Sequence, residues 1–233
     1  MKGPPILKGR SRSRYTPLGC GRPARGATER GRESSAMSHD TWLHRLARVC
    51  VRPLVATPVT PNHLTGARLA TGVAAAAALA TGSSPWVAAG TALFLVSMLL
   101  DRADGELARL SGRGSAFGHR FDLWTDAVCD TCIVASLGIA QRGGSFGLWA
   151  LLMGVVAAVS VAVIFVNVLA VDRRLGPGSV MFQATAGFDP DDAIAIVPLA
   201  VLFGAGDWVL AAATVATPLV AVVVVVHLRR LDR

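Results

Sequence analysis

Four aspartates occupy one short stretch of the chain, at spacings that predict two helix faces. Asp101 and Asp104 are three residues apart, and Asp122 and Asp126 are four apart, so each pair shares a face of a helix. Gly and Ser residues lie between the pairs and predict a short loop joining two antiparallel helices. The four carboxylates would then converge. Because crowded anions repel each other and are costly to desolvate, the group predicts a site for Mg²⁺, Mn²⁺ or Ca²⁺.

Small and basic residues between the two pairs suit a ligand that carries phosphate. Gly105 and Gly118 let a bulky ligand approach the backbone. The small side chain of Ala108 leaves space on the same helix face as Gly105. Arg109 is able to bind a phosphate through two parallel hydrogen bonds. Together with the aspartates, these residues predict a diphosphate site. The competing interpretation, surface carboxylates paired with nearby arginines, explains one such aspartate more easily than four at helical spacing.

The elements that must position these residues are membrane helices. Hydrophobic residues make up 52% of the 233 residues and charged residues only 16%, whereas an average soluble domain has about 25% charged residues. A membrane span needs about 20 apolar residues. The apolar runs predict an all-α integral membrane protein with six transmembrane helices, at 64–82, 85–103, 119–140, 146–171, 191–206 and 207–227.

The net charge of +8 is concentrated in the amino-terminal region. Residues 1–36 carry nine Lys and Arg against two Glu, a net +7, so residues 37–233 carry only +1. This distribution argues against a basic nucleic-acid-binding domain. Residues 1–36 are interpreted as a disordered tail, either an artefact before a start at Met37 or an RNA-binding arm. Residues 37–60 are interpreted as an amphipathic juxtamembrane segment with a helix over 40–55, and residues 61–233 as the membrane domain.

The arginines also predict the topology. With six spans, thirteen of the fourteen arginines from Arg45 onward fall on the side that holds both termini, and Arg142 alone falls on the other. The positive-inside rule then places both termini and the aspartates at the cytoplasmic face of the cell (inner) membrane.

Several polar residues near the aspartates have two interpretations. Each either binds the acceptor or makes an ordinary structural contact. The structural alternative is a contact with lipid headgroups for Arg113 and Arg120 and an internal polar contact for Asp130. For Asp191 and Asp192, which precede the fifth span, it is a helix cap. His119 is interpreted as incidental, and the pair Cys129 and Cys132 as helix packing rather than a redox or zinc site. The acceptor-binding candidates are Arg113, Arg120, Asp130, Asp191 and Asp192.

The full pattern resembles the signature of a known family. It reads Asp101-x2-Asp104-Gly105-x2-Ala108-Arg109-x8-Gly118-x3-Asp122-x3-Asp126 and matches the CDP-alcohol phosphotransferases at every defined position. The segment 61–68 is similar to the entry into the first span of that family. The resemblance implies metal-dependent transfer of a phosphatidyl or related group from a CDP-linked lipid donor, such as CDP-diacylglycerol, to a hydroxyl acceptor in phospholipid biosynthesis, with release of CMP.

The resemblance also implies roles for single residues. The four aspartates would hold two divalent metals, Mg²⁺ or Mn²⁺, and Asp126 would also take the proton of the acceptor hydroxyl. Homodimers are usual in the family. The CDP-binding residues would be Asn62, Thr65, Gly105, Ala108, Arg109 and Gly118.

Two questions stay open at this point. The acceptor is glycerol phosphate, an inositol phosphate, serine, choline, ethanolamine or a second lipid. A soluble CDP-alcohol donor with a lipid acceptor is the alternative to a lipid donor. The rival class is a divalent-cation transporter or channel. That class predicts carboxylates near the middle of the membrane on several spans, whereas these four lie on two spans near one surface.

Overall fold

A computed structural model describes residues 42–176 and 194–231 of the chain. The described residues belong to the compact unit Met37–Arg233. The predicted tail (1–36) and the acidic residues Asp191 and Asp192 lie outside the described part. Within it the structure is helical and has no strand, which confirms the all-α prediction.

The described part contains seven α-helices and two 3₁₀ turns. In chain order, the helices are α1 (Trp42–Val51), a 3₁₀ turn (Arg52–Ala56), α2 (Pro61–Ala80), α3 (Ser84–Ser111), α4 (Ala116–Ala140), a 3₁₀ turn (Gln141–Gly143), α5 (Trp149–Leu175), α6 (Ile196–Leu202) and α7 (Gly206–Leu231).

Four of these helices, α3, α4, α5 and α7, are long and apolar enough to cross a membrane. Large apolar side chains on α5 and α7 are exposed, as expected of faces that contact lipid: Val155 is 56% exposed, Val159 56%, Trp208 82% and Val215 63%. The protein is therefore an all-α membrane protein, as the composition predicts.

The predicted count of six spans is not confirmed. The expected fifth span, 191–206, is represented in the described residues by α6, which has only seven residues. At 1.5 Å per residue, such a helix covers about a third of the hydrocarbon thickness. The expected first span corresponds to α2, which has 20 residues and so has sufficient length, but Arg68 and a series of small residues lower its hydropathy.

Helix α2 lies against both α3 and α4, and its sequence suits that position. Pro61 is its first residue, where the missing N–H costs no helical hydrogen bond. The backbone N–H of Thr60 donates to Nδ1 of His63, at 3.2 Å, and fixes the start of the helix. Ala75 and Ala76 are buried, and such small side chains let neighbouring helices approach closely.

The loop between α3 and α4 sets their relative direction. Only residues 112–115 separate the two helices, so they run antiparallel as the sequence predicts. The side chain of Ser115 accepts a hydrogen bond from the Gly118 N–H, at 2.9 Å, and thereby caps the start of α4. Further along α4, a Cβ atom added at Gly138 would lie 2.7 Å from the Gly154 Cα, so the backbones of α4 and α5 touch there.

The juxtamembrane helix α1 packs on α3 rather than lying with its whole apolar face in lipid. Ala47 and Val51 are fully buried and form a cluster with Ala103 and Leu107 of α3. Val49, on another side of α1, is 65% exposed. Amphipathic spacing predicts this helix correctly, but it does not tell whether lipid or protein covers the apolar face.

Candidate active site

Three of the four signature aspartates converge between α3 and α4. Asp101, Asp122 and Asp126 each offer a carboxylate oxygen, and these three oxygens lie within 4.8 Å of one another. We call them the carboxylate cluster. Their side chains are 16%, 35% and 25% exposed, respectively. Oxygen donors at this separation suit a hard divalent ion such as Mg²⁺ or Mn²⁺.

Arg68 of α2 lies among these carboxylates. Its Nη1 is 2.6 Å from Oδ1 of Asp101 and 3.2 Å from Oδ1 of Asp122, and its Nη2 contacts Oδ1 of Asp126. The Arg68 side chain is 9% exposed. A buried cation thus balances part of the negative charge of the cluster.

Arg68 is a site residue that the sequence analysis does not predict, because there it is a positive charge for the topology and the last residue of the segment 61–68. The signal was present in the sequence. A charged residue inside an apolar helix of a membrane protein is costly and marks a functional contact by default.

The fourth signature aspartate, Asp104, lies outside the carboxylate cluster. Asp104 is 5% exposed, and its Oδ2 accepts a 2.5 Å hydrogen bond from the hydroxyl of Thr65 on α2. The sequence predicts that the four carboxylates converge at one depth. The structure divides them into a group of three and a single buried carboxylate beside it.

A cavity of about 200 Å³ lies next to Asp104 and Asp122. We call it the signature cavity, because the signature residues Gly105, Ala108 and Gly118 line it, together with Asn62 and Thr65. A Cβ atom added at Gly118 would lie 2.8 Å from Oδ1 of Asn62, so α2 and α4 approach each other here because position 118 has no side chain. Five of the six predicted CDP-binding residues are brought together at this cavity.

The sixth predicted CDP-binding residue, Arg109, does not line the signature cavity. Its Nη2 donates to Oε1 of Glu106, at 2.9 Å. The same carboxylate accepts from Nη2 of Arg48 on α1, at 3.2 Å. Glu106 is 2% exposed, so the two arginines balance a buried negative charge between α1 and α3.

A second cavity, of about 50 Å³, also borders the carboxylate cluster. We call it the apolar-walled cavity. Apolar side chains such as Phe94 and Phe165 line it together with charged ones: Arg68, Asp101, Arg102, Asp126 and Asp130. Asp126 therefore borders a cavity distinct from the one that the five predicted CDP-binding residues line.

The remaining candidates fall in different places. Arg113 lines the signature cavity, and Asp130 lines the apolar-walled cavity. Arg120 is exposed, lines neither cavity, and donates to the Ala116 carbonyl at 3.2 Å. Asp191 and Asp192 lie outside the described residues.

His119, interpreted from the sequence as incidental, has a defined contact in the structure. Its Nε2 lies 3.1 Å from Oδ1 of Asp172, a residue that is 6% exposed near the end of α5. This pair joins the start of α4 to the end of α5. Cys129 and Cys132 are free thiols, and Cys129 is buried.

Comparison with known protein families gives one match. A family model described as CDP-alcohol phosphatidyltransferase matches residues 58–227, which is well over half of the chain and includes all four aspartates and Arg68. The chain therefore belongs to the CDP-alcohol phosphatidyltransferase family. No curated protein matches the chain.

Proposed function

We propose that this member of the CDP-alcohol phosphatidyltransferase family transfers a phosphatidyl or related substituted phosphate group from a CDP-linked lipid to the hydroxyl group of an acceptor, with release of CMP. The observation that carries the proposal is the position of the carboxylate cluster. Asp122 lines the signature cavity, and Asp101 and Asp126 line the apolar-walled cavity, so the cluster borders both. A transfer enzyme needs such an arrangement, because donor and acceptor must approach one reacting phosphorus atom from different sides.

The signature cavity suits the CDP part of the donor. It is lined by backbone and small side chains at Gly105, Ala108 and Gly118 and by polar groups at Asn62 and Thr65. A nucleotide has both flat surfaces and hydrogen-bonding edges, and a cavity of this composition matches both. The hydrogen bond from Thr65 to Asp104 would hold that carboxylate in one orientation at the cavity wall.

The donor atoms of the site fit a divalent cation. Asp101, Asp122 and Asp126 supply only carboxylate oxygens, and Mg²⁺ and Mn²⁺ prefer such ligands. Asp104 and Asp122 both border the signature cavity, which supports a second ion on the donor side. Such ions would neutralise charge on the phosphates and stabilise the leaving CMP. Arg68 contacts the same oxygens, so it would have to give up part of its contacts as an ion binds.

Asp126 is the proposed general base. In the reaction, the acceptor hydroxyl oxygen attacks the phosphorus atom that carries the lipid-linked group, and the bond from that phosphorus to the CMP oxygen breaks. The hydroxyl proton passes to Asp126, and CMP leaves with the electron pair of the broken bond. Asp126 borders the apolar-walled cavity, which we assign to the acceptor, with Asp130 as a further contact.

The orientation of the site is also part of the proposal. Arg102, Arg109, Arg113 and Arg120 lie near the aspartates, and the contact of His119 with Asp172 brings Arg173 and Arg174 to the same end of the molecule. Since arginines concentrate on the cytoplasmic side of membrane proteins, we place the site at the cytoplasmic face of the cell membrane.

The experiment is an activity assay with purified chain in lipid nanodiscs. CDP-diacylglycerol, a pool of candidate alcohols and Mg²⁺ or Mn²⁺ are supplied, CMP release is measured, and the lipid product is identified by mass spectrometry. We expect CMP and a new phospholipid in equal amounts, both dependent on the metal. Flux of divalent cations into liposomes without any CMP release would instead support a transporter and contradict the proposal.

A further inference from the structure

Three tryptophans lie in the first turns of three membrane helices. Trp86 is the third residue of α3, Trp149 the first of α5 and Trp208 the third of α7. They are 58%, 71% and 82% exposed, respectively, whereas tryptophan is highly buried on average. We call these three residues the tryptophan belt. Such exposure of large apolar rings indicates a surface that a partner covers.

The three helices run in the same direction, so the tryptophan belt lies at one end of the molecule. Helix α4 runs antiparallel to α3, and its contacts with α5 pair early residues of one helix with late residues of the other. The hydroxyl of Thr214 on α7 donates to the Met153 carbonyl of α5. One turn later, the hydroxyl of Thr217 donates to the Ala157 carbonyl, so α7 runs parallel to α5.

On each helix, the first exposed arginine follows the tryptophan at almost the same interval, 21 to 24 residues. The pairs are Trp86 and Arg109, Trp149 and Arg173, and Trp208 and Arg229. At 1.5 Å per residue, the intervals correspond to about 32–36 Å along the helix axis. The hydrocarbon core of a bilayer is about 30 Å thick, and tryptophans and arginines both concentrate at its boundaries. The repeated spacing therefore fits two membrane interfaces.

Two helices give the same distance from the belt to the carboxylate cluster. On α3, Asp101 lies 15 residues after Trp86, which is about 22 Å. On α4, Gly138 lies level with the start of α5, since a Cβ atom added there would be 2.7 Å from the Ala150 carbonyl oxygen. Asp126 lies 12 residues before Gly138, which is about 18 Å. The cluster is thus beyond the middle of a 30 Å core, as seen from the belt.

We propose that the tryptophan belt docks at the lipid–water interface of the leaflet opposite to the exposed arginines, and that the two ends together hold the carboxylate cluster at a fixed depth in the bilayer. The partner is the layer of phospholipid headgroups and ester groups. Tryptophan suits this layer because its ring is apolar and its indole N–H donates a hydrogen bond. A position at one level on three different helices matches a planar partner.

The test measures the depth of each tryptophan by fluorescence quenching. The chain has five tryptophans, and in each variant one is kept while the other four are replaced by Phe. The variants are reconstituted into phosphatidylcholine vesicles that contain lipids with a nitroxide label, either near the headgroup or near the end of an acyl chain. Iodide is the quencher in water. The matched control carries Val159→Trp and no natural tryptophan, since Val159 is exposed on α5, ten residues after Trp149.

We expect each belt tryptophan to lie about 15 Å from the bilayer centre and to be quenched more by the label near the headgroup. The Val159→Trp control should lie near the centre, about 15 Å from the belt, and show the reverse preference. Trp124, two residues before Asp126, should lie between these depths, about 6 Å past the centre, because it is 14 residues before Gly138.

Three results would overturn the inference. Belt tryptophans as deep as the Val159→Trp control would lie in hydrocarbon, and belt tryptophans quenched by iodide alone would lie in water. Protection from iodide and from both lipid labels would show that a second copy of the chain covers the belt.

If a single-tryptophan chain does not fold, the unaltered chain is compared with Trp86→Phe, Trp149→Phe and Trp208→Phe. Each change should reduce quenching by the label near the headgroup more than quenching by the deep label, and the opposite order would also overturn the inference. None of these measurements uses the reaction. Failure of the inference therefore leaves CMP release by the unaltered chain, and with it the proposed function, intact.

Discussion

Nη1 of Arg68 lies 2.6 Å from Oδ1 of Asp101, the first aspartate of the signature. The same guanidinium contacts the other two members of the carboxylate cluster, Asp122 and Asp126. The cation comes from α2 and the carboxylates from α3 and α4, so this one side chain links three helices. It also contacts the oxygens proposed to bind metal, which makes Arg68 and a divalent ion competitors for one set of ligands.

Substitution of Arg68 by Gln should make the stability of the protein depend on metal. Without a divalent ion, the three carboxylates would repel each other, and loss of the buried partner should cost about 3 kcal/mol, reduced by the partial exposure of the carboxylates. Added Mn²⁺ should restore most of this loss, because a ligand that binds only the folded state stabilises it. The measurement is the melting temperature in detergent, with and without Mn²⁺.

The comparison that decides this prediction is the size of the shift caused by Mn²⁺. It should be larger in Arg68→Gln than in the unaltered protein, and Arg68→Lys should fall between them. Direct titration of Mn²⁺ by electron paramagnetic resonance gives the affinity independently of activity. Equal affinities and equal shifts in all three proteins would show that Arg68 does not compete with the ion.

Substitution of Asp126 by Asn should abolish transfer and preserve donor binding. General-base catalysis contributes about a hundredfold to ten-thousandfold to a rate, and the amide oxygen of Asn still accepts a hydrogen bond from Arg68. Since Asp126 lines the apolar-walled cavity and not the signature cavity, CDP affinity should change less than CMP release. Both are measured on the same preparation with known metal content. Full activity of this variant would exclude Asp126 as the base.

Substitution of Thr65 by Val should destabilise the protein, because it removes the 2.5 Å hydrogen bond to Asp104. Asp104 is only 5% exposed, and a buried acceptor left without its donor costs about 1–3 kcal/mol. Thr65→Ser keeps the hydroxyl and should behave as the unaltered protein does.

The control for this change is Thr71→Val on the same helix. The Thr71 hydroxyl donates only to carbonyls of its own helix, those of Ala67 and Arg68. Its removal therefore leaves no buried carboxylate without a hydrogen-bond donor. The melting temperature should therefore fall further in Thr65→Val than in Thr71→Val. Equal losses would mean that the contact with Asp104 adds nothing to stability.

Local spacing predicted the parts of the site that lie close together in the sequence. Asp101 and Asp122 come from two helices joined by residues 112–115, and a loop that short leaves almost no choice but antiparallel packing. Helical periodicity then decides which side chains share a face. The convergence of three carboxylates follows from these two constraints.

Contacts between distant segments could not be predicted in this way. Arg68 reaches the cluster because of how α2 is rotated against α3 and α4, and Glu106 binds both Arg48 and Arg109 because α1 packs on α3. Tertiary packing sets both relations. For the same reason the hydrogen bond of Arg109 to the buried carboxylate of Glu106 could not be predicted from the signature pattern.

Substitution of Gly105 by Ala should weaken donor binding without lowering the stability of the protein. A Cβ atom at this position would have no atom within 4 Å, and Ala favours a helix over Gly by about 1 kcal/mol. The variant should therefore be at least as stable as the unaltered protein. Because Gly105 lines the signature cavity, the added methyl group should nevertheless weaken CDP binding.

Two further glycines give the controls for this change. Gly66→Ala, on α2, also places a Cβ atom with nothing within 4 Å, but Gly66 lines neither cavity, so stability should rise with no change in CDP affinity. Gly118→Ala brings a Cβ atom to 2.8 Å from Oδ1 of Asn62. Because Asn62 must then move, this variant should have both a lower melting temperature and a lower CDP affinity. Melting temperature and CDP affinity across the three variants test the assignment of the cavity. Weaker CDP binding in Gly66→Ala than in Gly105→Ala would contradict it, because the loss would then not follow the cavity wall.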